Sequence, residues 1–220
     1  MNGLCAGPSI SLTAQVILWA TALQLVLGTL LGWLLARKHF PGKGLLDVLI
    51  MLPLVFPPMV LGYGLLMALG QQGWLLAWLP PALRPEIIFR TPGLVIAAFI
   101  AGLPLMVKPV QNAFQAINRD VRDAGATLGA RPWAVFTQIE WPLARHGVTT
   151  GLILSCGRAL GEVGISLMLG GNISGRTETL SLAIYNQVMD GQFACANQLS
   201  LLLCGLSALI FFLLKRYGSL

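Results

Sequence analysis

Charged side chains are scarce in this sequence: Asp and Glu together number 8, Lys and Arg 14, and the four types make up 10% of 220 residues. An average soluble domain carries roughly 25% charged residues, so a water-facing surface cannot be covered from this composition. The groups that carry most metal and acid–base chemistry are also few. There are 2 histidines and 4 cysteines. Cys5, Cys156, Cys195 and Cys204 lack the paired spacing of metal sites, and Cys156 and Cys204 lie in apolar runs where a small hydrophobe serves, so neither a metal nor a disulfide is assigned. His39 and His146 border helix ends, where dipole interactions suffice. No Gly-x-x-x-x-Gly-Lys-Ser/Thr loop is present, which excludes ATP hydrolysis by the chain itself, and no His-Glu-x-x-His pair exists. Met1 to Ser11 lacks the positive n-region and small-residue cleavage site of a secretory signal, so no processing is expected.

What is abundant is apolar: 56% of residues are hydrophobic, and the mean hydropathy is +0.77. Five apolar segments, about 12–36, 45–70, 93–114, 147–169 and 193–214, approach the ~20 residues that cross a ~30 Å hydrocarbon layer. Backbone groups in lipid need internal partners, so each is expected to be a helix. The expectation is an all-α polytopic membrane protein, with residues 1–220 forming a single domain in a lipid bilayer and no internal repeat. The net charge of +6 does not indicate nucleic acid, because the basic residues lie at the ends of apolar segments rather than in an aromatic-interleaved patch.

Basic loops stay cytoplasmic, which orients the chain. With the N-terminus outside, Arg37, Lys38, Lys43, Lys108, Arg119, Arg122, Arg131, Arg145, Lys215 and Arg216 fall inside, and only Arg84, Arg90 and Arg176 fall outside. Five spans then put the C-terminus inside. Pro53, Pro57, Pro58, Gly62 and Gly64 bend the second segment, either as a packed kink or beside a pathway. Trp74, Trp78 and the prolines of 71–92 suit an interfacial loop.

The connection between the third and fourth segments, about 119–145, carries the most specific pattern. Asp123, Ala124, Gly125, Gly129, Ile139 and Pro142 match the spacing of the cytoplasmic loop of ABC importer permeases: an acid and two small residues, a glycine four positions on, nine residues, then Ile-x-Leu-Pro. Asp replaces Glu, Gly125 replaces the second Ala, and Trp141 replaces Leu, which preserves charge, size and apolarity. Pro132 after Arg131 suits the first turn of a short helix, and Trp133, Val135 and Phe136 then offer an apolar face to a partner's groove. The resemblance implies a type I importer permease fold in which this loop is the coupling helix for a cytosolic ATP-binding subunit, and ATP with Mg is bound there.

The stretch from Arg158 to Tyr185 resembles the fourth-span signature of molybdate, tungstate and sulfate permeases, "RALGE-x-G" followed by "GNI-x-G-x-T-x-T", and Phe40 to Asp47 with Leu54 to Pro58 resembles the same group. Short length favours the molybdate branch, with tungstate and sulfate as alternatives. The resemblance implies an importer in a bacterial inner membrane, with a second copy of the chain, two ATP-binding subunits and a periplasmic or extracellular oxyanion-binding protein as partners.

Arg158 and Glu162, four apart on a helix, share a face and can pair. The pair is read either as a lock near the inner side or as an element that breaks between two states. Gly157, Gly161 and Gly164 are expected to admit a neighbouring helix. Arg158 is not read as the anion ligand, because tight charge pairing in a low dielectric would trap a dianion. Ser166, Asn172, Ser174, Thr177 and Thr179, with the pliable Gly170, Gly171 and Gly175, supply either weak pathway donors or ordinary loop caps, and 180–188 returns as a partial helix. Two readings of another class remain: an intramembrane enzyme using Asp123, Glu140 and His146, and a non-transporting scaffold.

Overall fold

The computed structural model describes residues 7–78, 80, 83–118, 120–121, 127, 129 and 131–218. Among these the chain is helical, with no strand. The first segment comprises α1 (Gly7–Leu23), a π-helical turn (Gln24–Gly28) and α2 (Thr29–Arg37). Then follow α3 (Lys43–Val55), α4 (Pro58–Leu69) and α5 (Thr91–Ala116). Short α6 (Pro132–Val135), a second π-helical turn (Phe136–Glu140) and α7 (Trp141–Leu160) are continuous. α8 (Gly164–Gly170), α9 (Leu180–Met189) and α10 (Phe193–Gly218) complete the chain.

Among the described residues three helices are long and apolar enough to cross a membrane: Ser9–Arg37, Thr91–Ala116 and Phe193–Arg216. A fourth candidate is a bent pair, Pro132–Leu160 with Gly164–Gly170, whose axes differ by 61°. The segment 147–169, expected as one helix, is therefore broken at Gly161–Val163. The segment 45–70 is broken as well. Phe56 (φ −78°, ψ 145°) and Pro57 (φ −55°, ψ 130°) are both extended, because each precedes a proline ring that disfavours the helical region. Pro58 can then open α4, where its missing N–H is no loss.

α5 is the hub. It buries Leu94, Ala97, Ala98, Ala101, Met106, Val107, Val110 and Phe114 among α1, α2, α3, α7 and α8. Small residues bring the partners close: a Cβ on Gly147 would lie 2.3 Å from the Ala113 Cβ, and one on Gly151 would lie 2.8 Å from the Met106 carbonyl oxygen. In lipid there is little hydrophobic drive between helices, so this close backbone contact is what holds α5 to α7. α10 is the opposite case, with 6% of its apolar window buried and Leu201, Phe211 and Phe212 exposed.

Two structural expectations need correction. Cys195 is disulfide-bonded, whereas Cys156 and Cys204 are free thiols. Lys108, counted above with the loops, lies inside α5, where its ammonium reaches Asp47 of α3 at 2.6 and 2.8 Å and Gln111 at 3.1 Å. A cation within an apolar span requires such a partner.

Candidate coupling segment and broken helix

Asp123, Ala124 and Gly125 lie outside the described residues. Gly129, at their far side, has φ +81° with open space around it, so its role is to supply a left-handed turn that a side chain would strain. Arg131 (φ −65°, ψ 151°) is the extended residue before Pro132, and Pro132 starts α6 as its proline placement predicts. Ile139 is partly buried, and Pro142 sits in the first turn of α7.

Trp133 and Phe136 part company. Trp133 is 73% exposed. Phe136 turns back into the chain, 6.0 Å edge-on to Trp33 and stacked 6.3 Å from the buried Phe114. The apolar face expected of this stretch is thus split between solvent-facing Trp133 and a Phe136 that ties α6 to the hub.

Glu140 is the residue whose role was missed. Its carboxylate meets the Arg37 guanidinium at 2.9 Å, with side chains 8% and 10% exposed. The cation stands in the last turn of α2, where the helix dipole favours it, and the anion enters α7. One signal was available: Glu140 is an isolated acid between apolar residues, and such a group needs a partner. Any reading of Glu140 as a free catalytic base is displaced by this pairing.

Arg158 and Glu162 do pair, at 2.6 Å, but not on one continuous helix. α7 ends at Leu160, so the pair straddles the break. It lies about 26 Å along the axis from Trp141, at the end remote from the 119–145 loop, not near the basic end. Glu162 is doubly engaged: one oxygen takes Arg158, and the other accepts the Ile165 backbone N–H at 2.6 Å. The Ser181 hydroxyl donates to the Leu160 carbonyl at 2.6 Å. An orphan donor of α8 and an orphan acceptor of α7 are thereby satisfied, as a break in lipid demands.

Of the three glycines expected to admit a helix, one does so. A Cβ on Gly164 would meet the Pro58 Cβ at 2.7 Å, and one on Gly62 of α4 would lie 3.0 Å from the Ile165 Cα, so α4 and α8 cross there. Gly157 has nothing within 4 Å, and Gly161 has only the Gly157 oxygen at 3.9 Å.

The polar residues beyond α8 are held in loop bonds. Thr177, fully buried, donates to the Gly170 carbonyl at 2.6 Å and accepts the Ile173 N–H at 2.9 Å. Asn172, at φ +51°, pairs with Asn186 of α9 at 2.6 Å. Gly171 is left-handed at φ +71°, and a Cβ there would strike the Phe89 ring. Ser166 is buried within α8. Thr179 accepts the Leu182 N–H at the start of α9, and Thr13 of α1 accepts the Leu180 N–H at 2.8 Å.

The chain is 39% identical over 195 residues, 87% of its length and 85% of the relative's, to the molybdenum transport system permease protein ModB of Azotobacter vinelandii. It is 37% identical to the ModB of Escherichia coli K12, covering 82% and 79% of the two chains. A sulfate transport system permease protein, CysW of Synechocystis, is 31% identical over 86% of this chain and 68% of its own. Residues 28–217, most of the chain, match the family described as binding-protein-dependent transport system inner membrane component, and the chain belongs to this family of ABC importer membrane subunits.

Proposed function

We propose that this chain is one half of a homodimeric pathway that imports molybdate by ATP-driven alternating access. The observation that carries the substrate is the ordering of the relatives: the two molybdenum permeases share 37% and 39% identity with this chain and are covered over 79% and 85% of their own length, while the sulfate permease shares 31% and is covered over 68%. ATP is hydrolysed on two cytosolic subunits, whose closure is received by Asp123, Ala124, Gly125 and the turn at Gly129. A binding protein delivers the anion at the opposite face. One continuous pathway in a C2 pair requires only one kind of permease chain.

The N-terminus is outside and the C-terminus inside. Two features support this orientation: the bias of basic loops toward the 119–145 side, and the disulfide at Cys195, at the other end of α10 from Lys215 and Arg216, since disulfides persist in the oxidising periplasm rather than in the cytosol. Ser166, Gly171, Asn172 and Thr177 belong to the gate in this reading. The bonds of Thr177 to backbone and of Asn172 to α9 support a framing role for that turn, with any donors for the anion coming from backbone.

The test is uptake of molybdate into vesicles carrying the chain with its ATP-binding subunits, with tungstate and sulfate as competitors. Suppression by molybdate and tungstate at concentrations where sulfate does nothing supports the reading. Equal suppression by sulfate overturns the substrate, and uptake independent of ATP overturns the mechanism.

A further inference from the structure

A groove of about 660 Å³ opens sideways from the first helix at the 119–145 end. Its walls include Val26, Leu30 and Trp33 on one side and Trp133, Phe136 and Trp141 on the other. Residues 25 to 33 on the helix side advance about 12 Å along the axis, so the groove runs parallel to the bilayer normal. Val26 and Leu30 are 64% and 55% exposed and continue an apolar stripe through Leu18 and Trp19. The chain's own helices leave this face uncovered.

The two ends of the groove differ. Its length is apolar, whereas at the loop end the Lys38 ammonium stands 5.9 Å from the centre of the Trp33 ring, and the exposed Arg131 immediately precedes the lining residue Pro132. Three tryptophans gather at this level, the depth at which indoles meet headgroups. A slot that is apolar along its length and cationic at its mouth matches an amphiphile with an anionic head.

We propose that this groove holds one anionic glycerophospholipid of the adjacent leaflet, with an acyl chain against Leu30 and Trp33 and the phosphate at Lys38 and Arg131. A second copy of the chain is a poorer occupant. At the same end its Asp47 and Glu140 are already paired with Lys108 and Arg37, and Asp120 bonds Asn118, which leaves little described negative charge to meet Lys38. Because α6 forms the far wall, the lipid packs between the first helix and the segment that leads from the coupling loop into α7.

The experiment is native mass spectrometry of the full-length chain released from nanodiscs of phosphatidylglycerol and phosphatidylcholine. The expected result is retained phosphatidylglycerol in preference to phosphatidylcholine. Lys38→Gln should reduce that preference about fivefold, the worth of one cation near an anionic headgroup, and Lys38→Arg should keep it. Leu30→Trp, at an exposed position, should fill the groove and reduce retention of both lipids at an unchanged unfolding midpoint. Unchanged phosphatidylglycerol retention in both Lys38→Gln and Leu30→Trp overturns the proposal. So does efficient disulfide formation between two protomers carrying Val26→Cys in native membranes, which would assign the groove to the second copy.

Discussion

The partners of the Arg158–Glu162 pair are not equivalent, and their difference is measurable. The Glu162 side chain is 1% exposed, and the Arg158 side chain 28%. Removing Arg158 strands a carboxylate that has no route to water. Removing the charge of Glu162 strands a guanidinium on a long stem that can reach headgroups or water. Loss of one partner of a buried pair costs about 3–5 kcal/mol, and Arg158→Met should fall in that range. Glu162→Gln keeps an oxygen for the Ile165 N–H, so its loss should be nearer 1–2 kcal/mol. Glu162→Ala also forfeits the cap and should lie about 1 kcal/mol below Glu162→Gln. A chain of 150–250 residues shifts by ~2–4 °C for each kcal/mol, so Arg158→Met should lower the midpoint by roughly 6–20 °C and Glu162→Gln by roughly 2–8 °C.

The double variant Arg158→Met/Glu162→Gln strands neither charge and should return close to Glu162→Gln alone. The assay is the unfolding midpoint of the full-length chain in nanodiscs of one composition, followed by circular dichroism. If Glu162→Gln proves as damaging as Arg158→Met, the burial asymmetry does not govern the pair. If the double variant equals the sum of the singles, the two groups do not act on each other. Uptake adds a second reading: recovery in the double variant identifies the pair as structural, whereas stable folding with lost uptake identifies a pair that must part during transport.

Other perturbations are equally specific. Gly129→Val forces a branched side chain to φ +81°, at about 1–2 kcal/mol of local strain; the chain should insert normally while uptake and uptake-coupled ATP hydrolysis fall, and unimpaired uptake would remove Gly129 from coupling. Gly147→Val drives a side chain into Ala113 and the Pro109 carbonyl and should destabilise by about 1–3 kcal/mol or more, whereas Gly157→Ala, with nothing within 4 Å, should stabilise by about 0.5–1 kcal/mol; equal midpoints would contradict the packing of α5 on α7. Glu140→Gln weakens the contact with the Arg37 guanidinium, 10% exposed, and should cost about 1–3 kcal/mol, with recovery in Arg37→Gln/Glu140→Gln read by the same midpoint assay.

The helices were legible because lipid permits few alternatives, and Pro57–Pro58 announced the bend of the second segment because the residue before each ring cannot remain helical. The fourth segment misled for the opposite reason. Nothing in Gly161–Glu162–Val163 forbids a helix, and the break is supported by two remote groups, the Ser181 hydroxyl and the position of Pro58 against Gly164. Counting Lys and Arg as topology markers concealed Lys108 and Arg37, whose acids lie 61 and 103 positions away in sequence. Spacing found the start at Pro132 and put a glycine at 129, but did not show that Gly129 takes a left-handed φ in open space rather than admitting a close neighbour. It could not show that Phe136 folds inward, since an aromatic at an amphipathic position reads alike whether it meets a partner or its own hub.

The two acid–base pairs gain meaning from where they stand on α7. Glu140 adjoins its first residue and is fixed to α2 through Arg37; Arg158 lies in its last turn and is fixed through Glu162 to the start of α8. Between them run residues 141 to 157, about 26 Å of helix, with no proline past the first turn. Such a helix does not absorb displacement by bending, since sharp kinks need a proline, a bulge or an inserted group. Movement of the 119–145 segment therefore either breaks the Arg37–Glu140 contact or carries α7 as a body. In the second case the displacement arrives at Gly161–Val163, where the backbone is already non-helical and the Glu162 carboxylate holds both Arg158 and the first donors of α8. Among the described residues, the π-helical turn at Phe136–Glu140 is a place in this path where a residue can be absorbed before α7 is reached. Glu140 closes that turn, so the pair with Arg37 sits at the point that decides between the two.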